Sequence, residues 1–170
     1  RILYAGSRAF TGEPLTMHAA QVLCDSIQEN DLVYILVGFV LLPHKVPEMD
    51  GTVSAMLLAR ALVMAFNAKP IIVCPADSVQ AIEKCAAVVG LHIYEDLDTV
   101  QELPLSMGVV AFTKDKAAAP AQAEALAARK PAAVISVEAS GANALGVYHN
   151  AVGKDVTELQ AKSEVLWNLL

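Results

Sequence analysis

The order of apolar and polar positions predicts a buried central strand that leads into an apolar helix. Residues 33–42 (VYILVGFVLL) form an apolar run that is typical of a strand covered on both faces of a mostly parallel sheet. A loop with Glu48 and Asp50 follows. Beyond Gly51, apolar residues recur at helical spacing, at Val53, Met56, Leu57, Ala61 and Met64. Further apolar residues fill the flanks, so we expect this helix to be covered on several sides.

Other apolar runs predict the remaining strands of the same sheet. Residues 1–4 indicate an edge strand, and buried strands are expected at 71–74, 91–94, 108–112 and 132–138. The strands alternate with helical patterns, which is typical of a parallel sheet covered by helices on both faces. We therefore predict an α/β fold with three layers, α/β/α, around a mostly parallel, doubly wound central sheet. A single domain over the whole chain is expected.

Helix signals fall between the predicted strands. An amphipathic helix is predicted from Leu15, and Asp77 fits the N-cap of a helix that Gly90 ends. An Ala-rich helix is expected over 120–129 because alanine has the best helix propensity. A last helix is predicted from Val156, with one stripe made of Leu159, Ser163, Leu166 and Leu170. No internal repeat is evident.

The composition favours a small-molecule ligand. The 170 residues are 55% hydrophobic, and the net charge is −6. An acidic chain without a basic cluster is a poor partner for nucleic acid or an anionic membrane surface. The apolar run is interrupted by Gly38 and Pro43 and is too short to span a bilayer. We expect a small molecule as ligand, either a phosphate ester or an amino acid, the latter implied by the family resemblance of the loop motifs below, and we leave a homo-oligomer open.

The cysteines and the chain ends bear on location and completeness. Cys24, Cys74 and Cys85 have no CxxC spacing, which indicates free thiols in an intracellular protein. We expect a cytoplasmic protein, or one of the mitochondrial matrix if the source is eukaryotic. The chain ends in the apolar segment VLWNLL, so we expect the natural protein to continue beyond Leu170 and the domain to be truncated there.

Two polar loops follow predicted strands and carry the candidate chemistry. One loop spans 47–52 and the other spans 138–150. If their strands are neighbours, the loops meet at one edge of the sheet, where open α/β sheets bind their ligands. They would gather Glu48, Asp50, Glu138, Asn143, His149 and Asn150. Carboxylates with an Asn or a His can hold a hard divalent cation or act as a general acid and base.

Several of these residues also have a structural interpretation. Asp50 precedes a helix and could equally be its N-cap. His149 could be an ordinary loop histidine, and Tyr148 could be a packing or hydrogen-bonding side chain at the pocket wall. Arg8, in a loop rich in small polar residues, could hold a carboxylate or phosphate, although a solvated arginine is favoured there. Glu138, which ends an apolar strand, favours a functional role.

Common enzyme signatures are missing from the sequence. No GxGxxG follows the first strand, and no lysine-containing phosphate loop, GxSxG elbow or HExxH pair is present. Any chemistry must therefore come from dispersed loops.

Two motifs at these loops resemble those of the D-glutamate cyclase C-terminal-domain family. The first consists of Val37-Gly38-Phe39 and Met49-Asp50-Gly51. The second, which is more specific, consists of Val137-Glu138-Ala139, Gly141, Asn143, Gly146, Tyr148, Asn150, Gly153 and Asp155. The resemblance covers residues 31–166. Three positions depart from the family pattern, with Val37, Thr52 and Ala139 in place of the usual Thr, Pro and Arg, and a late DGGNE-like motif is missing.

The resemblance implies a lyase that closes D-glutamate to 5-oxo-D-proline and releases water. Asp50 and Glu138 would be the catalytic carboxylates, and the same pair could hold Mn²⁺ or Mg²⁺. The candidate substrate contacts are Arg8, Gly51, Thr52, Ser140, Gly141, Asn143, Tyr148, His149 and Asn150. Two alternatives remain open, which are a Mn/Mg-dependent phosphatase-like hydrolase and a non-catalytic small-molecule-binding or assembly module. The substitution at Ala139 and the missing late motif favour the module.

Overall fold

The computed structural model describes residues 2–170. Their helices and strands, in chain order, are α1 (Ile2–Thr11), α2 (Leu15–Ser26), β1 (Leu32–Val37), β2 (Val40–Leu41), β3 (Val46–Pro47), α3 (Met49–Phe66), β4 (Lys69–Cys74), α4 (Ala76–Val89), β5 (His92–Tyr94), α5 (Leu97–Glu102), β6 (Ser106–Ala111), α6 (Ala119–Ala127), β7 (Ala133–Val137), a 3₁₀ turn (Thr157–Leu159) and α7 (Glu164–Leu169).

Five of these strands form a parallel sheet in the order β5-β6-β4-β1-β7. The middle strand of the five is β4, and β1 lies inside the sheet between β4 and β7, where Tyr34 is paired with Ile71 of β4 and with Val134 of β7. The apolar residues of β1 point alternately to the two faces of the sheet. One set packs in a core with α3 and α4, and the other packs with α5, α6 and α7. The predicted three-layer α/β/α fold with a parallel central sheet is thus confirmed.

Strand β1 is shorter than the apolar run predicts. It ends at Val37, and Gly38 has a φ of +109°, which side chains rarely adopt. A Cβ atom at Gly38 would lie 2.5 Å from Cδ of Pro75 and 2.9 Å from Oγ of Ser78. The chain therefore turns where it touches the start of α4, and the second half of the run contributes β2, which forms a small antiparallel hairpin with β3.

Helix α3 is covered on one side, and the expectation of cover on several sides is wrong. Met56, Ala59 and Leu62 are among the residues that it buries against the sheet. Val53 and Met64 are 44% and 61% exposed. By length and composition alone α3 could cross a membrane, with a mean hydropathy of 1.4. Its buried face identifies it as a core helix of the α/β domain, since core helices pass the same test.

Three local predictions are wrong. An edge strand was predicted at 1–4, but residues 2–4 belong to helix α1, and residue 1 lies outside the described residues. Asp77 lies inside the first turn of α4, after Pro75, and forms an ion pair with Lys114 instead of capping the helix. The helix expected from Val156 is divided into a 3₁₀ turn and α7, so its four-residue stripe does not form.

Two helix predictions agree with the structure. Helix α2 begins at Leu15 as expected, although none of its own residues is fully buried; Ile27, just after its end, is buried at 2% exposure. Gly90 ends α4 in the left-handed conformation, with a φ of 70°.

Candidate functional site

Strands β1 and β7 are parallel neighbours, so the two polar loops meet at the carboxyl edge of the sheet. Glu48 precedes α3, Asp50 lies in its first turn, and Glu138 follows β7 directly. Each of these three side chains, here called the acidic cluster, offers an oxygen that lies within 4.8 Å of the others. The expected meeting of the loops is confirmed, and it places three carboxylates together.

The backbone holds Glu138 close to the start of α3. A Cβ atom on Gly51 would lie 3.0 Å from Cβ of Glu138, so only glycine leaves comfortable room at this point of the helix. Glu138 itself has a φ of +51°. This left-handed conformation costs a residue with a side chain about 1–2 kcal/mol, and such strain is concentrated at functional sites.

The charges of the neighbouring carboxylates act on Glu138. The nearby negative charge of Asp50 raises the pKa of Glu138 above its usual value, and desolvation and Glu48 add to the increase. A carboxylate whose pKa is raised is a stronger base than the carboxylate of an ordinary surface glutamate. Glu138 is therefore suited to act as a general acid or base.

Asp50 does not have the N-cap position that was its alternative interpretation. The N-cap of α3 is Glu48, whose side chain makes no capping hydrogen bond. Oδ1 of Asp50 accepts a hydrogen bond of 2.8 Å from the backbone N–H of Gly51, inside the first turn. The Asp50 carboxylate therefore lies next to Glu138 at the N-terminus of α3.

A cavity of about 460 Å³ opens beside the cluster. It is lined by Phe39, Leu41, Glu48, Glu138, Ala139, Ser140, Gly141, His149, Asn150, Ala151 and Val152. Five of these lining residues, Glu138, Ser140, Gly141, His149 and Asn150, are predicted site residues. The apolar members had not been expected there, because the sequence shows no sign that the β2–β3 hairpin folds over the second loop.

The second loop contains a short repeat that the sequence analysis missed. The segments NALGV and NAVGK start at Asn143 and Asn150, seven residues apart. In both, Oδ1 of the asparagine accepts the backbone N–H groups two and four residues further on, at 2.9–3.2 Å. Gly146 and Gly153 occupy the same left-handed position, with φ of 77° and 78°. Each asparagine thus stabilises its own turn, and Asn150 also lines the cavity.

His149 lies between these twin turns. Nδ2 of Asn143 is 3.5 Å from Nδ1 of His149, at the long end of the hydrogen-bonding range. Because Oδ1 of Asn143 already accepts two backbone N–H groups, its Nδ2 is the donor. If the His149 ring is neutral, its Nδ1 accepts from Asn143 and its ring proton is on Nε2.

Five predicted contacts are not among the lining residues of this cavity: Asn143, which stabilises its own turn, and Arg8, Gly51, Thr52 and Tyr148. Arg8 is exposed on α1, and Gly51 lies beneath Glu138. Thr52 is fully buried, and its hydroxyl donates to the backbone oxygen of Glu48 at 3.2 Å. Tyr148 is 1% exposed and its hydroxyl is hydrogen-bonded to Glu164, while burial raises the pKa of Tyr148. Their roles as substrate contacts remain predictions.

Gln160 is a site-forming residue that sequence reasoning missed. It is fully buried, and its Nε2 donates to the backbone oxygen of Val40 at 3.0 Å. Its Oε1 accepts the Val40 N–H at 3.1 Å and the Ser140 hydroxyl at 3.2 Å. Gln160 therefore ties the β2–β3 hairpin to the loop that follows β7. No signal in the sequence distinguishes this glutamine from a surface one.

The buried lysine Lys162 supports the same region. Its Nζ donates to the backbone oxygens of Thr157 at 2.6 Å and Gln160 at 2.8 Å, and it lies 4.6 Å from the centre of the Tyr148 ring. Burial lowers the pKa of Lys162, while Glu164 acts in the opposite direction. Tyr148, Gln160, Lys162 and Glu164 are here called the buried polar group.

The fold and the site together define an α/β domain with an acidic ligand cavity at the carboxyl edge of its parallel sheet. The family model for the D-glutamate cyclase-like C-terminal domain matches residues 11–169. The chain belongs to this family, as its two motifs indicated, and the match extends toward the N-terminus to include α2. No curated protein matches the chain.

Proposed function

We propose that the chain is a D-glutamate cyclase-like lyase that forms 5-oxo-D-proline from D-glutamate and releases water. Family membership supports this reaction class, and the observation that supports it most is the position of Glu138. This residue is held in a left-handed conformation beside two other carboxylates, and its pKa is raised. Ring closure needs such a group, because the substrate ammonium must lose a proton before its nitrogen attacks the γ-carboxyl carbon.

The other cavity residues have complementary roles in this proposal. Backbone N–H groups around Gly141 would hold the α-carboxylate. Residues 138–150 contain no lysine or arginine that could do so. The Nε2–H of His149 would donate a hydrogen bond to the oxygen that gains charge as the ring closes. Ser140 and Asn150 would orient the substrate. Glu138 would take the two protons that the substrate ammonium loses, one before and one after the attack, and would pass them to the γ-carboxylate oxygen that leaves as water.

The acidic cluster is also suited to a hard divalent cation. Glu48, Asp50 and Glu138 present carboxylate oxygens within 4.8 Å of one another, which matches ligands around one Mn²⁺ or Mg²⁺ ion. Such an ion would polarise the γ-carboxyl group of the substrate.

The direct test follows 5-oxoproline by chiral chromatography after incubation with D-glutamate, with and without Mn²⁺ or Mg²⁺. We expect product with the wild-type chain and a loss of about 10²–10⁴-fold in rate with Glu138→Gln, the usual contribution of a general acid or base. Lys154→Gln, on an exposed turn, is the control and should retain the wild-type rate. Absence of product with and without metal would overturn the cyclase proposal.

A second candidate is a Mn/Mg-dependent phosphatase-like hydrolase, which the three clustered carboxylates favour. Metal-dependent turnover of a phosphate-ester panel without 5-oxoproline would select it. A binding module without catalysis is the third candidate, supported by Ala139 at the position where the family pattern has arginine. In each case the partner is a small molecule, and we place the protein in the cytoplasm, or in the mitochondrial matrix of a eukaryote.

A further inference from the structure

The charge of the cavity is unfavourable for a ligand with two free carboxylates. Glu48 and Glu138 line it, Asp50 lies directly behind them, and the lining residues among the described part of the chain include no lysine or arginine. Free D-glutamate carries an α-carboxylate and a γ-carboxylate. The γ-carboxylate must approach Glu138 for the ring to close, and when no cation is bound at the acidic cluster, like charges at such distances repel. A neutral group at the γ-position would remove this repulsion.

The cavity also has an apolar side that free glutamate does not use. Phe39, Leu41, Ala151 and Val152 line it, and Leu41 and Val152 are 36% and 76% exposed. Apolar side chains held at the mouth of a polar cavity favour an apolar part of the ligand. The volume of about 460 Å³ lies within the range of pockets that enclose ligands larger than an amino acid.

We propose that the preferred substrate is a γ-D-glutamyl amide whose amine part is apolar, and that ring closure releases this amine. The proposal rests on the proposed cyclisation and names its substrate class. The α-amino nitrogen attacks the γ-carbonyl carbon and forms the ring C–N bond. The bond between that carbon and the amide nitrogen then breaks. The substrate ammonium loses one proton before the attack and a second as the ring forms. Both pass through Glu138 to the departing nitrogen, so the products are 5-oxo-D-proline and an alkylammonium ion.

This reaction uses both sides of the cavity. The neutral amide carbonyl can approach the acidic cluster without repulsion, and it is a better electrophile than a carboxylate. The alkyl chain of the amine would lie against Leu41 and Val152. The single remaining carboxylate would be held by the loop around Gly141.

The test compares three substrates, which are D-glutamate, γ-D-glutamyl methylamide and γ-D-glutamyl isopentylamide. The two amines have nearly equal basicity, so a difference between the amides reports on apolar contact and not on the leaving group. The readout is kcat/KM for 5-oxoproline formation. We expect the isopentylamide to exceed the methylamide by about tenfold or more, and both amides to exceed D-glutamate.

The twin turns provide a matched pair of variants. Val152 in NAVGK and Leu145 in NALGV occupy the same turn position and are 76% and 86% exposed, but only Val152 lines the cavity. Val152→Ser should reduce the preference for the isopentylamide to about threefold or less, whereas Leu145→Ser should leave the preference intact. Because both side chains are exposed, neither change should unfold the protein.

The outcomes separate this inference from the proposed function. Turnover of D-glutamate that equals or exceeds that of the isopentylamide would overturn the inference and leave the cyclase proposal standing. An unchanged preference in Val152→Ser would also overturn it, because the apolar contact would lie elsewhere. Absence of 5-oxoproline from all three substrates would overturn both.

Discussion

The acidic cluster and the buried polar group both form around the loops at the carboxyl edge of the sheet, yet their charges are arranged in opposite ways. In the acidic cluster three like charges meet, and Glu138 adopts a strained backbone conformation. In the buried polar group a lysine lies over an aromatic ring and donates to backbone oxygens, and a tyrosine pairs with a glutamate. One carboxylate oxygen of Glu164 is the exception, since it has no hydrogen-bond partner within residues 2–170.

The difference supports the proposal that the acidic cluster serves chemistry, and it predicts that the buried polar group serves stability. Buried polar groups stabilise a fold when their partners are in place, and they become costly when one partner is removed. Like charges held together lower stability and shift pKa values, which is typical of functional sites. We therefore expect mutations in the buried polar group to destabilise the protein, and neutralising mutations in the acidic cluster to stabilise it while they reduce turnover.

The largest change in stability is expected for Gln160→Met. The substitution conserves volume but leaves the N–H and C=O of buried Val40 without partners, which costs about 2–4 kcal/mol in the free energy of unfolding. Urea denaturation would measure the loss. Gln122→Met is the control, because Gln122 makes the same pair of bonds, to the N–H of Thr113 and the oxygen of Ala111, from a half-buried position where water can replace it. Equal losses in the two variants would contradict the structural role of Gln160.

A smaller loss is expected for Lys162→Met. Methionine retains an apolar stem but removes the two hydrogen bonds to backbone oxygens and the contact with the Tyr148 ring, at a cost of about 1–3 kcal/mol. Thermal and urea denaturation at pH 7 would measure it. The exposed Lys154→Met should change the free energy of unfolding by no more than about 0.5 kcal/mol. If Lys162→Met leaves the free energy of unfolding unchanged, the buried polar group does not stabilise the domain.

The smallest effect concerns Glu138→Gln, and its sign is the opposite. Since the folded-state pKa of Glu138 is raised, the folded protein binds this proton more tightly than the unfolded chain does. The tighter binding of this proton stabilises the folded wild-type protein at low pH. This stabilisation should be lost as the pH rises through the folded-state pKa of Glu138, and it should return as the pH falls toward 4.5, the ordinary pKa of a glutamate. Glutamine does not titrate, so we expect Glu138→Gln to be more stable than wild type at pH 7.

Denaturation of both proteins between pH 7 and pH 4 would measure this difference. The advantage of Glu138→Gln should shrink as the pH is lowered through the folded-state pKa of Glu138. A variant that is less stable than wild type at pH 7 would mean that Glu138 is stabilised by its surroundings, and the contrast between the two regions would fail.

The sequence by itself determined the layers of the fold and the two loops of the candidate site. The apolar run of β1 and the strand that ends before Glu138 are local patterns, and alternation of strands with helices leaves few arrangements other than a parallel sheet covered on both faces. The family resemblance could also be recognised from the sequence, because each motif consists of closely spaced residues, such as glycine, asparagine and acidic residues, in one local segment.

Only the tertiary structure decided how those loops are assembled. The end of β1 at Val37 depends on contact between Gly38 and Pro75, and the tie between Gln160 and Val40 joins residues 120 positions apart. The apolar wall of the cavity forms because the β2–β3 hairpin folds against the second loop, which no local pattern records. Periodicity reports which face of an element is apolar, whereas the partner of a polar side chain depends on which distant segments pack against it.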